Sequence, residues 1–139
     1  MIQEPCCFIL RTNGMRILIA EDDDLMRKTI EFRLKRDGHE VIVTSDGREA
    51  LLKIEEHQPD LIIADILMPY NTGLEIISVV RLKYNIRIPI IILSGMRQEE
   101  VVLEAFKLGA DDFISKPFNP VELSLRVKRF GLLKVSNVA

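Results

Sequence analysis

Leu61-Ile62-Ile63-Ala64-Asp65-Ile66-Leu67-Met68-Pro69 is the stretch on which the fold turns. Leu61 to Ala64 is apolar without polar alternation, the character of a short strand covered on both faces. It is punctuated by Pro59 in front and ends at a carboxylate, Asp65. On its amino side, Gly47 to His57 carries Ala50, Leu51 and Ile54 on one face and predicts a helix. Val41-Ile42-Val43 predicts another strand before that helix. Leu25, Ile30, Phe32 and Leu34 recur at roughly helical spacing up to Gly38, a helix stop. Ile17 to Ala20 makes the first strand, which halts at Glu21-Asp22-Asp23-Asp24.

The same alternation continues on the carboxyl side. Thr72 to Leu82 predicts a helix capped by Thr72, with Leu74, Ile77, Val80 and Arg81 serving two faces. Pro89 opens an apolar strand, Ile90 to Leu93, that ends at Ser94. Glu99 to Leu108 is helical and closed by Gly109, and Phe113-Ile114-Ser115 is a strand ending at Lys116. Val121 to about Leu133 forms the last helix. Strict strand–helix alternation requires a parallel sheet with helices on both faces, here a small three-layer α/β sandwich of five units.

Composition narrows the function classes. A chain of 139 residues, 47% hydrophobic and 29% charged, fits one globular domain with a real core. A net charge of −2 is not the footprint of a protein that neutralises nucleic-acid phosphates, and no apolar run reaches membrane-spanning length. Cys6 and Cys7 are adjacent, so they imply no disulfide framework, and a reduced, cytoplasmic protein is expected. Residues 1–14 precede the pattern as an extension, with turns expected at Pro5 and Asn13-Gly14; residues 135–139 follow as a tail. His39 and His57 read as surface residues without a ligand pattern.

Ligands of an open parallel sheet bind at the carboxyl ends of its strands. Those ends carry Glu21, Asp22, Asp65, Ser94 and Lys116: three carboxylates, a hydroxyl and an ammonium converging on one edge. Taken singly, each has a bland reading. Glu21 to Asp24 could be a helix-capping start, Asp65 or Ser94-Gly95 a turn, and Lys116-Pro117 a solvated loop. Together the carboxylates repel, and a hard divalent cation such as magnesium is their natural partner. Lysine and hydroxyl could then hold oxygens of a phosphoryl group accepted by Asp65 as nucleophile.

These residues sit in segments that resemble the receiver domains of two-component response regulators. The segments are ILIAEDDD (Ile17 to Asp24), LIIADILMP (Leu61 to Pro69), IIILSG (Ile90 to Gly95) and GADDFISKPF (Gly109 to Phe118). Over residues 15–134 the resemblance implies a flavodoxin-like (βα)5 fold with strand order 2-1-3-4-5. It implies Asp65 as phosphoacceptor and metal ligand, Asp22 as second carboxylate ligand, Glu21 acting mainly through water, and the Leu67 backbone carbonyl on the same magnesium ion. Ser94 takes the switch hydroxyl position, Lys116 the phosphate-binding lysine, and Phe113 the aromatic switch, a residue whose bland reading is core. Pro117 stands where the family often carries a cis peptide.

Gly95 departs from the usual Ala, Phe113 lacks the hydroxyl of Tyr, Asn71-Thr72 replaces a common turn, and Leu67 brings no polar group toward an attacking water. None of these removes the phosphoacceptor chemistry. The resemblance implies a sensor histidine kinase or phosphotransfer protein as donor, and no direct contact with nucleic acid or membrane. Arg126, Lys128 and Arg129, with Asp111 and Asp112, resemble the charges of a symmetric homodimer through the fourth helix, fifth strand and fifth helix. As surface charges, they could equally serve solubility alone. Three other classes compete. A phosphohydrolase with an Asp nucleophile needs a second acid two residues on, where Leu67 stands. A flavin or nucleotide site needs a Gly-rich loop after strand one, which is missing. A degenerate receiver that only binds partners would not need a complete acidic, hydroxyl and lysine set.

Overall fold

The computed structural model describes residues 14–84, 87–96 and 98–138, with side chains as far as residue 133. Expectations for Pro5, Cys6, Cys7 and Asn13 fall outside the described residues. The elements alternate as β1 (Arg16–Ala20), α1 (Asp24–Arg36), β2 (Glu40–Thr44), α2 (Gly47–His57), β3 (Leu61–Asp65), α3 (Gly73–Lys83), β4 (Ile90–Ser94), α4 (Glu99–Leu108), β5 (Asp112–Ser115) and α5 (Pro120–Val138). All neighbouring strands pair in parallel, in the order β2-β1-β3-β4-β5. The expected three-layer sandwich and strand order are both present.

Every residue of β3 and β4 is buried, which explains their unbroken apolar runs. Successive side chains still go to opposite faces. Leu18, Ala20, Ile62, Ala64, Ile90 and Ile92 pack with Ala50 and Ile54 of α2, Ile76, Ile77 and Val80 of α3, and Ala105 of α4. Ile17, Ile19, Ile63, Ile91 and Leu93 pack on the other face with Ile30 and Leu34 of α1 and Leu123, Val127 and Phe130 of α5.

Caps fix where helices begin, and thereby where the loops at the carboxyl edge lie. Asp23 accepts from the Met26 amide (2.9 Å) and Asp46 from that of Glu49 (2.7 Å). Thr72 caps α3 as expected, and Glu75 completes a capping box by accepting from the Thr72 amide at 2.9 Å.

Four expectations need correcting. Leu25 and Phe32 are 77% and 70% exposed, so the inward stripe of α1 is carried by Ile30 and Leu34, with Met26 half-buried. His39 is buried rather than superficial, because its Nδ1 accepts from the Met15 amide at 3.1 Å and takes the ring inside. Asp112 is the first residue of β5 rather than part of the preceding loop. The last helix starts at Pro120 and runs on past Leu133 to Val138.

Candidate functional site

Parallel strands bring their carboxyl ends to one edge, and that edge collects the predicted residues. Glu21 and Asp22 follow β1, Asp65 ends β3, Ser94 ends β4, and Lys116 follows β5. Glu21, Asp22 and Asp65 each offer a carboxylate oxygen, all within 4.8 Å of one another. Glu21 is fully buried and Asp65 nearly so, whereas Asp22 faces solvent.

Lys116 holds this cluster together. Its Nζ donates to Glu21 Oε1 at 2.8 Å and to Asp65 Oδ2 at 2.9 Å. Its backbone amide donates to the Ser94 carbonyl at 2.8 Å, so β4 and β5 set the lysine's position jointly. The Lys116–Pro117 peptide is cis, as the resemblance implied. Glu21 is further fixed by the Asp23 amide, which donates to Oε2 at 3.2 Å, and by the Thr44 carbonyl, which accepts from its own amide at 3.1 Å.

Burial pushes the Glu21 carboxyl above its ordinary range; the Lys116 hydrogen bond opposes this and the neighbouring Asp65 charge reinforces it. Burial pulls the Lys116 ammonium down, but its hydrogen bonds and charge attraction to Glu21 and Asp65 outweigh that, leaving it raised. Among the described residues of this cluster, three carboxylates (−3) against one ammonium (+1) sum to −2. A compact set of hard oxygen donors with that surplus suits a divalent cation.

Of the remaining residues, Ser94 ends β4 at the same edge, whereas Phe113 lies within β5 and Asp111 and Asp112 at its amino end. Ser94 is buried, and its Oγ accepts from the Met96 amide at 2.9 Å. Phe113 pairs in register with Ile92 and packs, half-buried, against the α2–α3–α4 face. Leu67 projects outward, 61% exposed. The acidic and basic residues near β5 are paired within the chain. Asp112 Oδ1 accepts from Arg126 at 2.7 Å, and Arg126 also reaches Glu122 at 3.1 Å. Asp111 Oδ2 accepts from Arg81 and from the Ile90 amide, each at 2.8 Å.

Several supporting residues escape a reading by strand ends. Gly73 lies so close to Asp65 that a Cβ there would come within 2.5 Å of the Asp65 carbonyl oxygen. At Gly47 a Cβ would be 1.9 Å from the Asn71 carbonyl oxygen, so the start of α2 abuts the loop after β3. Arg27 donates to the Glu21 carbonyl at 2.9 Å and pairs with Asp24. Only Glu75 carries a local sequence signal, the T-x-x-E spacing from Thr72. The close approaches at Gly47 and Gly73 depend on segments that the sequence holds apart.

Comparison with known proteins identifies the family. The family model of the response regulator receiver domain matches residues 17–128. The alkaline phosphatase synthesis transcriptional regulatory protein PhoP of Bacillus subtilis (strain 168) is 36% identical over 124 residues, which cover 89% of this chain. The chain spans only 50% of that relative's length. The receiver domain of the Francisella response regulator 1452 superposes with a TM-score of 0.79 at 36% identity, covering 84% of this chain and 96% of that one. The chemotaxis response regulator CheY4 of Vibrio cholerae gives 0.78 at 34% identity, covering 83% and 97%.

Proposed function

This chain belongs to the response regulator receiver domain family, and on that premise we propose that Asp65 accepts a phosphoryl group from the phosphohistidine of a sensor kinase or phosphotransfer protein. The observation that carries the assignment is Lys116 Nζ, 2.8 Å from Glu21 and 2.9 Å from Asp65 within a cluster of three carboxylates. The receiver is assigned to residues 15–134, and the module signals rather than turning over a metabolite.

In the proposed transfer, an Asp65 carboxylate oxygen attacks phosphorus. The P–O bond forms as the P–N bond breaks, and the electron pair leaves on the imidazole nitrogen. Asp22, Asp65 and the Leu67 carbonyl, with Glu21 acting through water, would hold magnesium, which supplies charge neutralisation at the phosphoryl oxygens. Lys116 offers its ammonium to another phosphoryl oxygen, and the Ser94 hydroxyl turns toward a third. The Phe113 ring then moves inward, changing the surface over α4, β5 and α5.

That surface carries Leu103, Phe106, Val121 and Leu125, all exposed, beside the Asp112–Arg126 pair. It suits a homodimer of receivers, or an output partner or domain that reads the switch. No described helix is long and apolar enough to cross a membrane.

Amide NMR in magnesium, before and after adding beryllofluoride as a phosphoryl mimic, tests the reading. Large shifts are expected at Asp65, Ser94, Phe113 and Lys116, and none in Asp65→Asn. A folded spectrum with magnesium bound but no response to beryllofluoride would refute a phosphoryl switch.

A further inference from the structure

The loop between β3 and α3 holds one residue in a conformation its side chain disfavours. Tyr70 has φ +71°, in the left-handed region that is strained for a residue with a Cβ. Such a conformation persists where the surroundings over-determine it. At its base the loop is closed by the Gly73 amide donating to the Ile66 carbonyl at 3.0 Å. At its tip it leans on the first turn of α2. The Gly47 amide donates to the Pro69 carbonyl at 3.2 Å, and the Asn71 backbone fills the space that a side chain at Gly47 would take. The Arg48 guanidinium carbon stacks 4.2 Å from the centroid of the Tyr70 ring. Neither side chain is buried, so this contact is not part of the core.

Leu67 lies between base and tip of this closed loop, three residues before Tyr70. In so short a loop, tip and carbonyl share the same few backbone torsions. We propose that the Arg48–Tyr70 stack is a positioning clasp, holding the loop so that the Leu67 carbonyl is aimed for a divalent cation. The proposal rests on the magnesium site assigned above. Arg48 and Tyr70 touch neither the ion nor the phosphoryl group; they set the fraction of loop conformers competent to bind. Apparent affinity falls in proportion to that fraction.

The sign of the effect separates a clasp from plain electrostatics. Removing a positive charge near a cation site tightens cation binding, whereas removing a clasp weakens it. Calorimetric titration of the whole chain with magnesium chloride, at fixed ionic strength, reads this directly. Arg48→Ala is expected to weaken magnesium binding by about twofold to fivefold, the population change an exposed cation–π contact supports. Its melting temperature without magnesium should stay close to that of the parent. Tyr70→Phe keeps the ring face and should bind like the parent. Tyr70→Ala should weaken binding as Arg48→Ala does, and the double variant should lose no more than the weaker single one.

Unchanged or tighter magnesium binding in Arg48→Ala overturns the clasp, as does a double variant whose losses multiply. A drop in melting temperature with no change in affinity makes the stack merely structural and overturns it as well. Asp22→Asn is the control for the underlying site. Parent-like magnesium affinity in that variant, or no binding by the parent chain, sinks the site assignment and the clasp together. Weakened binding in Asp22→Asn with none in Arg48→Ala sinks the clasp alone.

Discussion

Gly73→Ala tests how closely the scaffold is fitted to Asp65, the proposed phosphoacceptor. A Cβ at this position would lie 2.5 Å from the Asp65 carbonyl oxygen and 3.0 Å from both the Asp65 carbonyl carbon and the Ile66 Cα. All three are backbone atoms, so no side chain can swing aside. Ordinary contact begins near 3.4 Å, and 3.4 − 2.5 leaves 0.9 Å to be found by moving α3 or the Asp65 backbone itself. Forcing a methyl into a close-packed site costs about 1–3 kcal/mol. A shift approaching 1 Å at a reacting group costs on the order of a hundredfold in rate. Urea unfolding should therefore show a stability loss in that range, and phosphorylation by a small acyl phosphate donor with magnesium should slow by one to two orders of magnitude, as roughly expected for such a displacement. Gly95→Ala is the matched control: a Cβ there meets nothing within 4 Å, so stability and rate should stay near parental values. Parental stability and rate in Gly73→Ala would refute the idea that α3 is seated directly on Asp65.

Four further outcomes are expected. Asp65→Asn should abolish acid-labile phosphorylation, read by label retention, while the far-UV circular dichroism stays native; full labelling would displace the acceptor role. Lys116→Ala should blunt the beryllofluoride response more than it weakens magnesium binding. Because it strips the fully buried Glu21 of its ammonium, it should cost about 3 kcal/mol in metal-free buffer, the low end for breaking a buried pair since the lysine is itself 20% exposed. His39 is held below its ordinary value of 6.5 by burial, with Asp37 opposing and Lys128 adding to the effect, so the unfolded chain takes the proton first. Stability should be level above that value and fall as pH drops below it, and His39→Gln should flatten the fall between about pH 7 and 5 in urea midpoints. Arg126→Glu breaks the pair with Asp112 and should leave phosphorylation intact while abolishing phosphorylation-dependent dimers in light scattering; dimers that persist would remove this face from the interface.

The strand ends are legible because each apolar run stops at a polar residue, and parallel pairing turns five such stops into one edge. The two faces of the sheet are not legible from the runs themselves. In Ile17 to Ala20 the residues divide between opposite cores, and an unbroken apolar string hides which goes where. Leu25 and Phe32 follow helical spacing, yet they lie outside the arc that α1 turns toward the sheet. Spacing finds a stripe but does not say which stripe is covered. His39 reads as superficial because histidine is polar; the Met15 amide, a donor from a segment 24 residues away, satisfies its ring nitrogen and lets it go inside. The fit of Gly47 and Gly73 against Asn71 and Asp65 is a contact between segments. In sequence, a lone glycine can equally mark a turn, a bulge or the end of a helix.

Burial of polar groups does not by itself mark the functional edge. The amino edge of the sheet also buries them: His39 accepts from Met15, and Ser124 donates to Asp37. There, burial disfavours the charged form of His39, its acceptor atom is matched by a donor, and the arrangement reads as structural. At the carboxyl edge the two buried carboxylates, Glu21 and Asp65, share, among the described residues, the Lys116 ammonium, with Asp22 beside them. That imbalance disfavours the fold, and burial already pushes Glu21 toward protonation. Replacing Glu21 by an amide would relieve it without disturbing either core. A scaffold whose two faces are otherwise filled with apolar side chains, yet which concentrates negative charge among the described residues of one edge, offers oxygen donors that suit a cation. The excess charge, more than the burial, separates this edge from its opposite.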